Sequence, residues 1–472
     1  MITIFGIRIK PELARPLCVT IVLIAVYRLG YLVPIPFLDS EGIKGLFNDS
    51  LPYYSMNGHF SIFMLGVIPY ISAYILIEIL SLFIPILKKL RFKELEGRKK
   101  LKRISLILSL VFAVYQADSI ISGLQAWKFS GDNSVLTIST FIEHLILVCV
   151  LVGSFSLLLA ICELISKFGI GHGISIILLS GVCGKFVGRF HIFVDQFEYN
   201  DFSSYLFALF MLCAIISFTL VLLRTKISIP CYHEKDKTTV EYFQLNLSPS
   251  SMAAIAYSAS ISMLPVTLSN FTGIQNSLVD TLKPGSFWYN MISCICVFAF
   301  SYLFGWAFLH PNKRVAKMQA RGWHIADVGT TAGAFLLKKQ FIYNLPWTIF
   351  LCFLVVAPNL LITGANVPFY LGGSTIPIVV AISLDLINGF NFYQNGIHRP
   401  VRIAEFHDIY DAGMVQNHLN ALGIKSYLRG YHHRLLCYFF GPYLEVSLVI
   451  DDQDKERAKS LIQNFYNGLG LC

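Results

Sequence analysis

Apolar residues are gathered along this chain into long blocks, each closed by a short polar or charged stretch. Ten blocks stand out, at about 16–33, 60–87, 104–127, 138–165, 174–188, 203–223, 249–266, 288–309, 340–361 and 374–394. A helix needs about 20 apolar residues to cross a bilayer at ~1.5 Å of rise each, so the blocks predict ten transmembrane helices. The fifth and seventh are short for a full crossing, which suits tilted or cavity-lining helices. The second block is the least ordinary. Within SIFMLGVIPYISAYILIEILSLFIP, Ser61 to Pro85, Gly66 and Pro69-Tyr70 interrupt the first third, and Ser72, Ala73 and Glu78 follow. A broken, partly polar helix survives in lipid only where protein buries it or it lines a cavity. That stretch is expected to form the inner wall of a pathway.

From Arg399 the period changes. VRIAEF reads as a strand, and Asp408 to Leu422 as an amphipathic helix capped by Asp408 and ended by Gly423. Lys425–Arg429 suggests a second strand. Tyr443–Ile450 is a third, with Leu444, Val446, Leu448 and Ile450 alternating along it. DQDKERAKSLIQNF closes the chain as a helix with Ala458, Leu461, Ile462 and Phe465 on one face. Two domains are therefore predicted: an all-α polytopic membrane domain over 1–395, and a small α+β (βαββα) C-terminal cytoplasmic domain over 396–472.

Composition supports the membrane reading, with 55% hydrophobic residues, 14% charged and a mean hydropathy of +0.62. The N-terminus shows no short apolar run with a small-residue cleavage site, so the first block is expected to be a retained span. Most of the eleven cysteines stand singly in apolar blocks, without a CxxC pair. They suit buried packing, and neither a metal site nor a cofactor is expected.

The net charge of +9 is concentrated in alternate connections. Lys88, Lys89, Arg91, Lys93, Arg98, Lys99, Lys100, Lys102 and Arg103 form one basic loop. Arg224, Lys226, Lys235 and Lys237 mark a second; Lys313, Arg314, Lys317, Arg321, Lys338 and Lys339 mark a third. Positive charge collects on the cytoplasmic side, which places both termini there and makes the span count even. Anionic lipid or nucleic acid is the rival use of these charges, though topology alone accounts for them, and no direct DNA binding is expected. Ten spans also divide into two sets of five. Five is odd, so the halves would be inverted, with a pathway at their interface.

One short motif is sharp. In ELISKFGIGHGISII, residues 163–177, Gly169, Gly171 and Gly173 make a tight turn directly into the fifth block. It has no Walker lysine and no preceding strand, so it is not a phosphate loop. His172, between two of the glycines, can donate and accept hydrogen bonds and can titrate.

These stretches, taken in order over about residues 7–395, resemble the SecY family, the channel subunits of the general protein translocase. The resemblance rests on the second block, on VYRLGYLVPIPFLD in the first and on KELEGRKKL in the basic loop. It continues in VYQADSIISGL at 114–124, in the glycine turn, where His172 replaces an Asn, and in VPFYLGGSTIPIVVAISLD at 367–385. The tail resembles a family of small prokaryotic signal-transducing domains.

The resemblance implies a protein-conducting channel with no catalytic residues, in the bacterial cytoplasmic membrane. It would pass unfolded polypeptide across, or release hydrophobic segments sideways into lipid. A ring of Ile71, Ile75, Ile174, Leu178 and Ile378 would seal it, because an aliphatic constriction dewets when empty. Glu78 and Gln116 would lie at the lateral gate. Arg224, Lys226, Lys313, Arg314 and Arg321 would sit in loops that dock partners. Those partners are small SecE-like and SecG-like membrane subunits, a SecA-type motor or the ribosome, and membrane lipids. Three departures go with this. The 39–60 segment is short for a plug, the seventh block lacks an internal proline, and the Arg-Pro-Gly expected after HPNKRVAKMQARGWHIADVG is missing.

Two other readings stand beside the channel. A secondary transporter of a small solute would need ionisable groups converging at mid-membrane, and the blocks offer Arg28, Glu78, Glu143, Glu163 and Asp385. Arg28 itself reads either as a snorkelling side chain or as half of an ion pair. A non-transporting membrane scaffold would leave signalling to the tail, which is otherwise expected to be a separately folding unit with a partner-recruiting or regulatory role.

Overall fold

Each long helix buries one stripe and turns the rest of its apolar surface outward. The computed structural model describes residues 2–4, 7–9, 11–38, 60–92, 96–126, 136, 138, 140–184, 202–234, 236–246, 254–255, 258, 286–309, 311–319, 322–325, 331–365, 375–394, 400–406, 409–432 and 446–467. These fall into two units, Met1–Ile192 with Phe440–Leu444, and Phe193–Phe439 with Glu445–Cys472.

The first unit opens with a small antiparallel hairpin, β1 (Ile2–Ile4) and β2 (Ile7–Ile9). Helix α1 (Pro11–Leu32) follows, then α2 (Ile68–Phe83), α3 (Pro85–Phe92), α4 (Glu96–Ala126), α5 (Phe141–Phe168) and the short apolar α6 (Gly173–Gly184). On α5 the buried stripe is Leu147, Leu151, Ser154, Leu158, Ile161 and Ile165, while Phe141, Ile142, Leu145 and Ile146 are exposed. In water such outward apolar faces would be a liability, whereas against lipid tails they cost nothing. On α4 the packed stripe is small, with Ser105, Ser109, Ala113 and Ala117 spaced four apart. Small residues let helix backbones approach, and α2, with Tyr70, Ala73, Tyr74 and Ile77 buried, packs against α4. His144 Nε2 and Asp118 Oδ1, 2.9 Å apart, join α5 to α4.

The second block is broken, as its sequence suggests. Residues 62–67 are turns, Gly66 takes a φ of 55°, and helix begins only at Ile68 with Pro69 in its first turn. The turns are held by backbone bonds from Ile62 N to Val33 O (3.0 Å) and from Ile35 N to Phe60 O (2.9 Å). The Ser154 hydroxyl of α5 donates to Ile62 O.

In the second unit, α7 (Phe202–Arg224) leads into strands β3 (Lys226–His233) and β4 (Asp236–Asn246). Helices α8 (Phe287–Leu309) and α9 (Pro311–Gln319), strand β5 (Trp323–Ile325), and helices α10 (Ala332–Ala365) and α11 (Thr375–Gln394) follow. α10 packs on α8 and α7, and α7 also packs on α11. Polar side chains bridge α8 and α10: Asn344 Nδ2 donates to Ser301 Oγ (3.2 Å), which lies 3.1 Å from Thr348 Oγ1.

Five described helices are long and apolar enough to cross a membrane, at Leu13–Leu32, Lys100–Gln125, Phe141–Phe168, Ala332–Val356 and Ile376–Gln394. Shorter apolar helices stand at Gly173–Gly184, Leu209–Arg224 and Phe287–Leu303. Most of the seventh block lies outside the described residues. Of it, Ala254, Ile255 and Ser258 are buried, and Ser258 Oγ donates to Ser293 O of α8 (3.1 Å). Two basic stretches expected as loops are partly helix. Arg98–Arg103 belongs to α4, and Lys338 and Lys339 belong to α10. Lys and Arg are good helix formers, so these helices continue past the apolar block.

The tail runs β6 (Pro400–Phe406), α12 (Ile409–Ala421), β7 (Tyr427–Arg429), β8 (Val446–Asp451) and α13 (Lys455–Asn467). Its antiparallel sheet has the order β6–β8–β7. Gly423, with a φ of 82°, ends α12 where Ile424 N bonds back to Leu419 O (2.9 Å). The tail does not hang free on its polar tether. Val446 to Ile450 are buried throughout β8, and Val449 and Tyr427 pack on Phe392 of α11.

Candidate functional site

In the first unit, the glycine turn sets the direction in which α6 leaves α5. Gly171 has a φ of 78°, a conformation that costs any residue with a Cβ. At Gly173 the reason is contact, because a Cβ would stand 1.8 Å from the Cys162 carbonyl oxygen of α5. Gly173 N donates to Ser166 Oγ (2.8 Å), which donates to Cys162 O (2.9 Å). On the other side, Ile170 N donates to Thr20 Oγ1 of α1 (2.9 Å), beside a buried Gly169. The turn is thus pinned to two helices, with His172 half-buried within it.

Ring and gate positions are distributed over both units. Ile71 is half-buried on α2. Ile75 and Glu78 fall within α2, and their side chains lie outside the described set. Ile174 is buried at the start of α6, and Leu178 is half-buried one turn later. Gln116 is half-buried on α4; Ile378 is half-buried on α11.

Arg28 is held by a serine and not by a carboxylate. Its Nε donates to Ser180 Oγ (3.1 Å) and its Nη2 to the Ser180 carbonyl, clasping α1 to α6 across 152 residues of sequence. Arg28→Met should therefore lower stability by roughly 1.5–3 kcal/mol, the range for hydrogen bonds made by a charged group. A thermal-unfolding midpoint in detergent equal to that of wild type would contradict this.

Two of the expected docking loops are parts of one structure. β3 pairs antiparallel with β4 and with β5, so the stretch after α7 and the stretch after α8 share a sheet of order β4–β3–β5. Glu234 N to Gly322 O (2.8 Å) and the stacked rings of Tyr232 and His324 reinforce the join. Arg224 is exposed at the end of α7. Lys226 donates to Gln244 Oε1 (3.0 Å). Lys313 and Arg314 lie in α9, their side chains outside the described set, and Arg321 lies outside it altogether.

Asp385 is 6% exposed, and its partner was missed by sequence reasoning. His432 of the tail places both its backbone N (2.9 Å) and its Nδ1 (2.8 Å) on Asp385 Oδ1. The Tyr427 hydroxyl donates to the Asp385 carbonyl (2.7 Å). Burial first, then the Asp385 charge, raises the Tyr427 phenol above its ordinary range. Burial, with the Arg402 guanidinium second, pushes Arg429 of β7 down to about 10. No sequence signal pointed to the 47-residue step from Asp385 to His432.

This helical membrane protein, with an interrupted second apolar block and a glycine-pinned fifth, has the fold of protein-conducting channels. The backbone matches a structure described as "The structure of a protein conducting channel" with a TM-score of 0.56. That match has 14% identity and covers 82% of this chain and 94% of that one. The chain belongs to the SecY family, whose model matches residues 61–387. Among curated relatives, the protein translocase subunit SecY of Buchnera aphidicola subsp. Schizaphis graminum is 24% identical over 406 residues, 80% of this chain and 92% of that protein. Sec61 in the canine ribosome-channel complex from the endoplasmic reticulum matches with a TM-score of 0.52 at 15% identity, over 82% of this chain and 94% of that one.

Proposed function

We propose that this protein is the channel subunit of a protein translocase in the bacterial cytoplasmic membrane. It would conduct unfolded polypeptide, release hydrophobic segments sideways into lipid, and catalyse no reaction. The match of the SecY family model across residues 61–387 carries this reading. The turns at 62–67 and the pinned glycine turn add structural support, since both belong to the two spans nearest the proposed pathway.

The full arrangement proposed is ten spans in two inverted halves with both termini cytoplasmic. Ile71, Ile75, Ile174, Leu178 and Ile378 would meet as an aliphatic seal, with Glu78 and Gln116 at the gate. The ribosome is the partner favoured by the likeness to a ribosome-bound channel. SecE-like and SecG-like subunits and a SecA-type motor complete the set. The three-stranded sheet is the proposed docking platform, and the tail is proposed as its own domain from 396 onward.

A small-solute transporter fares worse against the structure. Arg28 is used on Ser180, Glu143 accepts from Thr140 N (3.0 Å), Glu163 pairs with Lys167 (2.9 Å), and Asp385 is held by His432. These partners are local to their own helices or units, and the side chain of Glu78, the fifth such group, lies outside the described residues. Photo-crosslinking a stalled hydrophobic nascent chain to cysteines placed along α2 decides the matter. Adducts are expected that depend on chain length. A chain that never crosslinks, from a protein that inserts at normal abundance, would return the transporter and scaffold readings to the front.

A further inference from the structure

Two neighbouring residues of the tail hold two elements that lie far apart in sequence. Tyr431 carries the Lys226 ammonium over its ring, 4.6 Å from the centroid, at the first position of β3. The next residue, His432, holds Asp385 of α11. Gly430, with a φ of 78°, turns the chain out of β7 just before them. Further out, Phe243 of β4 stacks on Tyr410 of α12 with ring centroids 5.6 Å apart, and the Phe392 contact with Tyr427 and Val449 continues the joint along α11.

A buried carboxylate is stable only when hydrogen-bond donors replace its water, and two of these bonds to Asp385 come from the tail. The tail is therefore part of what holds α11 in place. Asp385 also stands seven residues beyond Ile378, two turns along the same face of the same helix. A hold on Asp385 is a hold on the proposed ring residue.

We propose that the tail is a clasp, joining the β4–β3–β5 sheet to the middle of α11 through Tyr431 and His432, and that its release frees α11 to move and opens the channel. The proposal rests on the channel reading above. Closed, the clasp fixes the last span. A partner that shifts the sheet pulls Lys226 from Tyr431, and the tail moves with it. Sheet displacement thus becomes a movement of Ile378.

The test uses the full chain in planar bilayers. Tyr431→Ala with His432→Ala should raise resting conductance roughly tenfold, the population shift expected on losing charge-assisted hydrogen bonds to a buried carboxylate. Tail-to-sheet crosslinking with a short bismaleimide, between Phe243→Cys and Tyr410→Cys with the exposed native cysteines replaced by serine, should fall in yield. Crosslinking before reconstitution should return conductance to the wild-type level, which misfolding would not allow. Three results overturn the clasp: an undiminished crosslink, a loosened tail with unchanged conductance, or a leak that the crosslink leaves in place. Ile71→Ser with Ile378→Ser serves as the opening control. If it conducts and the clasp variant does not, the clasp alone fails; if neither conducts, the proposed seal at Ile71 and Ile378 fails with the clasp, while the channel reading stands or falls on the nascent-chain crosslinks.

Discussion

Serine at both Ile71 and Ile378 is expected to raise resting ion conductance by at least about tenfold, with each single change giving much less. A narrow aliphatic ring excludes water because no hydrogen bond compensates a water molecule for entering it. Hydroxyls on two sides provide that compensation, and ~1.4 kcal/mol off the barrier is enough for a factor of ten. The sites are suited to the test because both side chains are only half-buried. Their neighbours Tyr70, Ala73 and Tyr74 on α2, and Ala381 and Ile382 on α11, carry the tight packing. The double variant should therefore unfold within a few degrees of wild type while leaking. Bilayer conductance and thermal unfolding read the two effects separately. Wild-type conductance from the intact double variant would remove Ile71 and Ile378 from the seal.

The elements legible in the sequence were those set by local period or by the bilayer. Among the described residues most apolar blocks appear as helices, five of them long and apolar enough to cross a membrane, and the tail's helices fall where the period of 3.6 puts them. Its third strand forms, but the expected alternation fails, because β8 is the central strand of its sheet and is buried at every residue from Val446 to Ile450. The β4–β3–β5 sheet was missed, although its signal was present. TTVEYF at 238–243 is β-branched and aromatic, but its position directly after the basic Lys235 and Lys237 made the stretch look like a loop. β5 is three residues long and has meaning only through its pairing with Cys231–His233. The clasp was beyond reach for a different reason. Asp385 stands out in the sequence as an ionisable residue in an apolar block, yet Arg28 to Ser180 and Asp385 to His432 are joined only by tertiary packing. The glycine turn was the reverse case, since Gly171 and Gly173 are needed for reasons confined to a few residues.

Gly173→Ala is expected to destabilise the protein by about 3 kcal/mol or more, at the top of the range for forced overpacking. The added methyl carbon would lie 1.8 Å from Cys162 O, 2.6 Å from its carbonyl carbon and 2.8 Å from its Cα. All three are backbone atoms within α5, less than two turns from its end, so no side chain can rotate away. Either α6 backs off, breaking Gly173 N to Ser166 Oγ, or α5 distorts at a position where Cys162 O already accepts from Ser166. Backing off also drags Ile174, the next residue and a proposed ring member, out of place. Gly153→Ala on the same α5 is the control, because nothing lies within 4 Å of its added carbon. It should be neutral or slightly stabilising, alanine being better in helix by roughly 1 kcal/mol. Gly171→Ala should fall between them, costing about 1–2 kcal/mol for its left-handed backbone. Thermal unfolding in detergent, with membrane abundance beside it, should rank the three as 153, 171, 173. If Gly173→Ala melts with Gly153→Ala, then α6 does not rest on α5 at that point, and the turn does not aim Ile174.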